Sequence, residues 1–133
     1  MKCDENVIYT QKTLSERYGI SIAALQHWYP FAGIIKPKKR GGYFALDAVE
    51  IADIFYVATK IRRLTHEEYL EKVIPAGGLD KFMQETNGIS LYDFLTKYIP
   101  DEERENLIVK AVIRRLERNE AYQRSSSGFA NHA

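Results

Sequence analysis

The chain has 133 residues, is 45% hydrophobic and 28% charged, and carries a formal net charge of +1. A chain of this size can bury a core without disulfides or metal, and its charge content is too ordinary for wholesale disorder. No run approaches the roughly 18 apolar residues of a membrane span, and the start, MKCDENVIYT, lacks the apolar stretch of a signal peptide. With Cys3 as the single cysteine, the composition predicts a cytoplasmic protein in a reducing compartment.

The two halves of the chain differ in charge. Up to Leu64 there are ten Lys and Arg against six Asp and Glu, a net charge of +4. From Thr65 onward there are nine against twelve, a net charge of −3. A basic half beside an acidic half indicates that the first half meets a polyanion.

Two short helices joined by a tight turn are predicted near the N-terminus. Thr10 is a candidate N-cap for a helix over residues 11–18. Gly19 supplies the break after it, because glycine readily adopts the left-handed conformation. Ser21 then caps a second helix over residues 22–29. A connection this short is typical of a helix-turn-helix.

The second helix is expected to bury one side and to end early. Leu25 and Trp28 lie three residues apart, so we assign Trp28 to the core rather than to stacking on a base. Pro30 is expected to end the helix, because the residue before a proline is disfavoured in the helical conformation.

A basic β-hairpin is predicted next. Residues 34–35 and 43–46 have the apolar and aromatic character of two short strands. The segment between them reads KPKKRGG, in which a glycine pair permits a tight turn and the other residues are almost all cationic. Such a hairpin would form a wing that contacts DNA phosphates or enters the minor groove.

The remainder of the chain is predicted to be helical. Asp47 with Glu50, and Thr65 with Glu68, have the spacing of capping boxes and mark two helix starts. The second of these helices is expected to run to about Ile74. Further helices are predicted over residues 79–86, over residues 91–98, and from the Pro100-Asp101 pair onward.

These elements predict a mostly α protein with a small β wing, that is, a winged helix-turn-helix followed by a C-terminal helical region. Residues 1–74 would form the DNA-binding domain, residues 79–124 a helical region for dimerisation or partner binding, and residues 125–133, SSSGFANHA, a flexible tail. The apolar side of the last helix fits either the core of a subdomain or a dimer seam.

The first half of the chain is similar to the N-terminal domain of MerR-type regulators and of phage excisionases. The similarity covers residues 9–74 and rests on residues 10–18, the turn at 19–21, residues 25–28, GIIKP at 33–37, Gly42-Tyr43, Asp47 and LTHEE at 64–68. It implies a winged helix-turn-helix fold and DNA binding, without metal or drug sensing. The chain departs from the family's pattern at Gln26, His27 and Phe44, where the family has Arg, Tyr and Arg.

DNA contacts are assigned to the second helix, the wing and the end of the third helix. Gln26 carries the donor and acceptor pair that suits adenine. The predicted DNA-binding residues are Thr10, Ser21, Ala23, Ala24, Gln26, His27, Lys36, Lys38, Lys39, Arg40, Tyr43, Arg62 and Arg63.

Neither an enzyme nor a cofactor is expected. No nucleophile, base and acid arrangement and no phosphate-binding glycine loop is visible in the sequence. His66 and His132 have no metal-ligand spacing with Cys3 or with each other.

The expected function is binding of double-stranded DNA, with a homodimer or a partner protein formed through the C-terminal helices. A transcriptional regulator of a bacterium, phage or plasmid is the first hypothesis. The second is an architectural or DNA-processing accessory protein, such as an excisionase, a small terminase subunit, or a plasmid transfer or partition factor. The third is a protein-interaction module without DNA binding.

Overall fold

The structure is a computed structural model that describes the backbone of residues 8–39 and 41–132 and the side chains of residues 8–39 and 41–119. Within these ranges all regular secondary structure is helical. The helices are α1 (Gln11–Tyr18), α2 (Ile22–Ala32), α3 (Leu46–Tyr56, continued by the π-helical Val57–Ile61), α4 (His66–Glu68, the π-helical Tyr69–Val73 and Ile74–Ala76), α5 (Leu79–Asn87), α6 (Leu91–Asp93 and the π-helical Phe94–Tyr98), α7 (Asp101–Arg104) and α8 (Leu107–His132).

Side-chain caps begin the first two helices at the predicted positions. The Thr10 hydroxyl accepts from the N–H of Thr13 at 3.2 Å, and the Thr13 hydroxyl accepts from the N–H of Thr10 at 2.8 Å. The Ser21 hydroxyl accepts from the N–H of Ala24 at 3.0 Å. Gly19, with a φ of 68°, ends α1. The predicted helix starts and the glycine break are therefore confirmed.

The predicted end of α2 at Pro30 is wrong. The helix continues for two more residues and ends at Gly33, which has a φ of 76°. Proline lacks the N–H of one helical bond, but Pro30 lies in the last turn, where little helix remains to be disrupted. The N–H groups of Gly33 and Ile34 both bond to the carbonyl of Tyr29, at 3.0 and 3.1 Å, and close the helix.

The predicted small β wing is also wrong. The described residues contain no strand, and no backbone hydrogen bond joins the two segments that were expected to pair. The N–H of Phe44 donates instead to the carbonyl of Tyr9 at 2.8 Å, and the side chains of Phe44 and Ile34 are buried in the helical core. Pro37 and the neighbouring like charges disfavour a ladder between the segments. Residues 34–39 and 41–45 thus form an irregular connection, here named the basic loop.

The predicted capping box of α3 does not form. The helix begins two residues earlier than this capping box requires, because its N-cap is Ala45, whose side chain makes no capping hydrogen bond. Asp47 lies instead within the first turn, where a carboxylate complements the positive end of the helix dipole. The capping box of α4 is confirmed, because Thr65 and Glu68 exchange hydrogen bonds of 3.0 and 2.8 Å.

The last predicted helix is split at Asn106. Its side-chain oxygen accepts from the N–H groups of Ile108 and Val109, at 2.7 and 3.4 Å, which caps α8 and separates it from α7. The Asn106 amide also donates to the hydroxyl of Tyr56 at 2.9 Å, so the start of α8 is tied to α3. From there α8 runs to His132 and includes most of the predicted tail.

One hydrophobic cluster joins the helix-turn-helix to the C-terminal helices. It extends from Tyr9 through the first four helices to Val112 of α8. The ring centroid of Trp28 lies 5.1 Å from that of Tyr18 and 5.2 Å from that of Phe55. Trp28 is 4% exposed, which confirms its assignment to the core.

Arg63 is the non-glycine residue with a positive φ, 69°, in the described chain. It follows the last turn of α3, where the N–H of Leu64 bonds to the carbonyl of Ala58 at 3.0 Å. An L residue in this conformation places its Cβ close to the following carbonyl oxygen. The turn that leads from α3 to α4 is therefore strained at one residue.

Replacing Arg63 with glycine is expected to raise the free energy of unfolding by about 1 kcal/mol, because glycine removes the Cβ crowding. The lost ion pair with Glu103, at 3.5 Å and with the Arg63 side chain 75% exposed, contributes little. Arg62→Gly is the matched control, since Arg62 has a φ of −79° and glycine there costs up to about 1 kcal/mol. Urea denaturation of the wild-type protein and the two variants checks the expected gain for Arg63→Gly and the expected loss for Arg62→Gly. Destabilisation by Arg63→Gly would contradict the assignment of backbone strain to Arg63.

Candidate nucleic-acid interface

The second helix of the helix-turn-helix has a narrow outward face. The side chains on the inner face, Leu25, Trp28 and Ala32, are buried. The exposed side chains lie three and four residues apart, as on one side of a helix: Ile22, Ala23, Gln26, His27 and Pro30. On this face only Gln26 and His27 carry side-chain groups that can form hydrogen bonds with a partner.

Gln11, at the start of α1, connects the two helices of the motif. Its side-chain oxygen accepts from the amide of Gln26 at 3.1 Å and from the hydroxyl of Tyr29 at 2.7 Å. Burial raises the pKa of Tyr29, so its hydroxyl remains a donor at neutral pH. The position of Gln26 is therefore set by a contact from another helix.

These three side chains border a cleft of about 490 Å³ whose other wall is the basic loop. The loop contributes Lys36, Pro37, Lys38 and Lys39 to the lining, and all three lysine side chains are exposed. The structure thus brings the predicted residues Gln26, Lys36, Lys38 and Lys39 to one site. Arg40, the fourth predicted cation, lies outside the described residues.

The other predicted residues of the motif have different surroundings. The hydroxyls of Thr10 and Ser21 are used as helix caps. Ala23 is exposed and Ala24 is half-buried. Tyr43, in the basic loop, is 66% exposed.

The cations at the end of α3 lie beside the C-terminal helices instead. Arg62 donates to the side-chain oxygen of Asn87 at 3.2 Å, and Arg63 lies 3.5 Å from Glu103. Arg62 borders a separate hollow of about 390 Å³ that is lined by the end of α3, by α5 and α6, and by residues that follow these two helices. The structure does not bring this pair to the cleft of the basic loop.

His27 packs toward α4. Its ring centroid lies 5.3 Å from that of Phe31 and 5.6 Å from that of His66, which in turn lies 5.0 Å from that of Phe55. Partial burial, and next the proximity of His27, lower the pKa of His66. Both effects favour a neutral His66 ring in this aromatic contact.

A buried carboxylate holds the helices that carry the interface. Asp53 of α3 is fully buried, and Arg17 of α1 contacts both of its oxygens, at 2.9 and 2.8 Å. The hydroxyl of Tyr18 donates to one oxygen at 2.6 Å. Arg115 of α8 lies 2.8 Å from the other, as an ion pair without the alignment of a hydrogen bond.

The protonation of this network follows from its contacts. Burial alone would lower the pKa of Arg17, but the hydrogen bond and the charge of Asp53 more than offset this and raise it. Burial, followed by the charge of Asp53, raises the pKa of Tyr18. Both side chains therefore remain hydrogen-bond donors to the carboxylate across the physiological range.

Gln11, Tyr29 and the Asp53 network were not predicted from the sequence. The contact between Gln11 and Gln26 depends on how two helices cross, and no local pattern contains that information. A signal for Asp53 did exist, because it is an acidic residue between the apolar positions Ile51 and Ile54 of α3. A charge at such a position must be paired if it is buried, which made Asp53 a candidate for an ion pair.

Metal-binding clusters and membrane-spanning helices were sought in the part of the chain that the structure describes. No group of three or more His, Cys, Asp or Glu side chains there could hold a metal ion. None of the helices in that part is long and apolar enough to cross a membrane. Comparisons of the chain with protein-family models, with curated proteins and with solved structures found no match.

Replacing Asp53 with asparagine is expected to lower the free energy of unfolding by about 3 kcal/mol or more, because two arginines would remain without their buried counter-charge. Glu50→Gln is the matched control on the same helix. Glu50 lies 3.6 Å from Arg115 but is 47% exposed, so its loss is expected to cost less than about 1 kcal/mol. Urea denaturation measures both, and equal effects would contradict the central role of Asp53.

Proposed function

We propose that this protein binds double-stranded DNA through the helix-turn-helix of α1 and α2 and the basic loop that follows it. One observation carries the proposal: an exposed polar side chain of α2 and three lysines of the basic loop line the same cleft. An α-helix fits the major groove of B-DNA, and cations beside it are suited to the phosphates that flank the groove. The resemblance of residues 9–74 to MerR-type regulators supports the same function.

Electrostatics favours the same face. The first 64 residues carry a net charge of +4, whereas the rest of the chain carries −3. Lysines in an irregular loop can adjust to the sugar–phosphate backbone, and each neutralised phosphate releases condensed counterions. The cationic half therefore faces the DNA in this proposal, and the acidic C-terminal half faces away from it.

As a biological role we propose transcriptional regulation in a bacterium, phage or plasmid. A regulator needs a rigid base-recognising element and a separate region for assembly. The arrangement of α2 and the C-terminal helices is suited to this division. Protection of a promoter in footprinting would support the role, whereas protection of an attachment site, a packaging site or a transfer origin would assign the protein to DNA processing.

We propose a second copy of the chain as the partner of the C-terminal helices. A groove of about 580 Å³ lies between α3 and α8, with Ile54, Val112 and Leu116 beside Glu50 and Arg115 in its lining. Apolar side chains in such a groove can pack against their own copies across a twofold axis. Paired half-sites on DNA are commonly bound by such dimers.

Sedimentation velocity is expected to give twice the mass of one chain for the wild-type protein. Leu116→Glu is expected to sediment as a monomer, because a carboxylate in the groove would lose its solvation in the dimer. Leu70→Glu, at an exposed position of α4, is the control and is expected to remain dimeric. Circular dichroism checks that both variants are folded, and a monomeric wild-type protein would contradict the proposal.

The DNA-binding proposal is tested with random-sequence duplex over a salt series. The wild-type protein is expected to bind with a steep dependence of log affinity on log salt concentration. A variant with Lys36, Lys38 and Lys39 replaced by alanine is expected to show a slope that is shallower by about two to three units, because each phosphate contact contributes about 0.9.

A second triple variant provides the control for net charge. Replacement of Lys72, Lys81 and Lys97, which are exposed on α4, α5 and α6, removes the same number of charges. This control is expected to retain nearly the wild-type slope. Equal losses in the two variants would show that net charge, and not the basic loop, drives binding. Absence of binding at low salt would exclude DNA binding and favour a protein-interaction module.

A further inference from the structure

We infer that the protein selects an A·T base pair in the major groove, which Gln26 recognises and Gln11 positions; this inference rests on the DNA-binding function proposed above. Three features of α2 support it: the composition of its outward face, the direction of the Gln26 amide, and the apolar side chains next to Gln26.

The outward face of α2 lacks the side chains that recognise guanine. Arginine or lysine donates to the two acceptors of guanine, whereas glutamine or asparagine pairs with the acceptor and donor of adenine. None of the residues from Ile22 to Ala32 is an arginine or a lysine. Since the ring of His27 packs against Phe31 and His66, Gln26 is the side chain on this face best placed to contact a base edge.

Gln11 fixes the direction of the Gln26 amide. The nitrogen of Gln26 donates one hydrogen to the Gln11 oxygen at 3.1 Å, which leaves a second N–H and the carbonyl oxygen for another partner. Rotation of the amide by 180° would place the Gln26 oxygen against the Gln11 oxygen, an unfavourable contact. With the Gln11 oxygen facing both Gln26 and Tyr29, the Gln26 amide has one preferred orientation, with a donor and an acceptor side by side.

Tyr29 holds Gln11 in place. Its hydroxyl donates to the same Gln11 oxygen at 2.7 Å, so this oxygen accepts two hydrogen bonds and is fixed by two side chains of α2. A glutamine ordered before binding loses less side-chain entropy on contact with a base. Gln11 is thus a positioning residue, and Gln26 is the residue that contacts the base.

Apolar side chains next to Gln26 suit the thymine of the same or an adjacent pair. Ala23 is exposed, and it lies three residues before Gln26 on the same face. Ile22 is 39% exposed beside it. Apolar side chains contact the thymine methyl group in the major groove. The face therefore combines an adenine-specific amide with a surface for thymine.

The test is selection of bound duplexes from a randomised library, followed by affinity measurements on the enriched duplex and its single-position variants. The wild-type protein is expected to prefer A·T over G·C by about 5- to 150-fold at one position, the range of a bidentate base contact. Gln26→Ala is expected to reduce this preference to less than about twofold at an unchanged salt slope, because the phosphate contacts of the lysines remain.

Variants of Gln11 separate positioning from a merely structural role. Gln11→Ala is expected to weaken the A·T preference severalfold at an unchanged salt slope, since the Gln26 amide can then rotate. Gln11→Glu keeps an acceptor for Gln26 and Tyr29 and is expected to retain the preference even though its charge lowers overall affinity. Gln84→Ala, which removes an exposed glutamine of α5, is the control and is expected to behave as wild type. Thermal melting of each variant confirms that it is folded.

The outcomes distinguish this inference from the function on which it rests. A wild-type protein that binds duplex with a steep salt slope but without preference at any position overturns the inference and leaves DNA binding intact. A full A·T preference in Gln26→Ala overturns the assignment of the contact, and a full preference in Gln11→Ala overturns the positioning role. Failure to bind any duplex at low salt overturns both proposals.

Discussion

The buried ion pair between Asp53 and Arg17 is the interaction on which the rest of the structure depends. A carboxylate without solvent is costly unless it is paired and hydrogen-bonded, and Asp53 gains its partners only when three helices meet. Arg17 and Tyr18 come from α1, and Arg115 comes from α8. Apolar packing alone would tolerate small rotations of these helices. The directed contacts of one buried charge do not tolerate such rotations. They join the N-terminal motif and the C-terminal helix to a common position on α3.

This constraint extends to the candidate interface through aromatic packing. Tyr18 donates to Asp53 and also packs on Trp28, whose ring lies on the inner face of α2. The position and rotation of α2 are therefore fixed by packing on its inner face, while a hydrogen bond from Gln26 to Gln11 fixes the Gln26 side chain. A helix that is to recognise bases must be held within a fraction of an ångström, whereas cations that contact phosphates need only a charge near the right place. The rigid helix and the irregular basic loop correspond to these two requirements.

Local chemistry explains what the sequence could predict of the fold and where it could not. Thr10, Gly19 and Ser21 act within one turn of their own positions, so the motif they define was predictable. The absence of a β wing was not predictable, because the apolar and aromatic residues at 34–35 and 43–46 are equally compatible with a loop that buries two side chains, Ile34 and Phe44, in a helical core. Whether such a segment pairs with itself depends on the competing bond to Tyr9, which lies more than thirty residues away in the chain.

The candidate site shows the same division between local and tertiary information. The lysines and Gln26 were assigned from composition and helical position, and the structure brings them to one cleft. Gln11 was missed because its importance comes from a hydrogen bond across fifteen positions. Arg62 and Arg63 were assigned to DNA because basic residues at a helix end fit a phosphate contact as well as they fit the helix dipole. Their pairing with Asn87 and Glu103 follows from the packing of α5 and α7 against the end of α3. A cation is thus informative about DNA only when its tertiary neighbours leave it at the surface that meets the duplex.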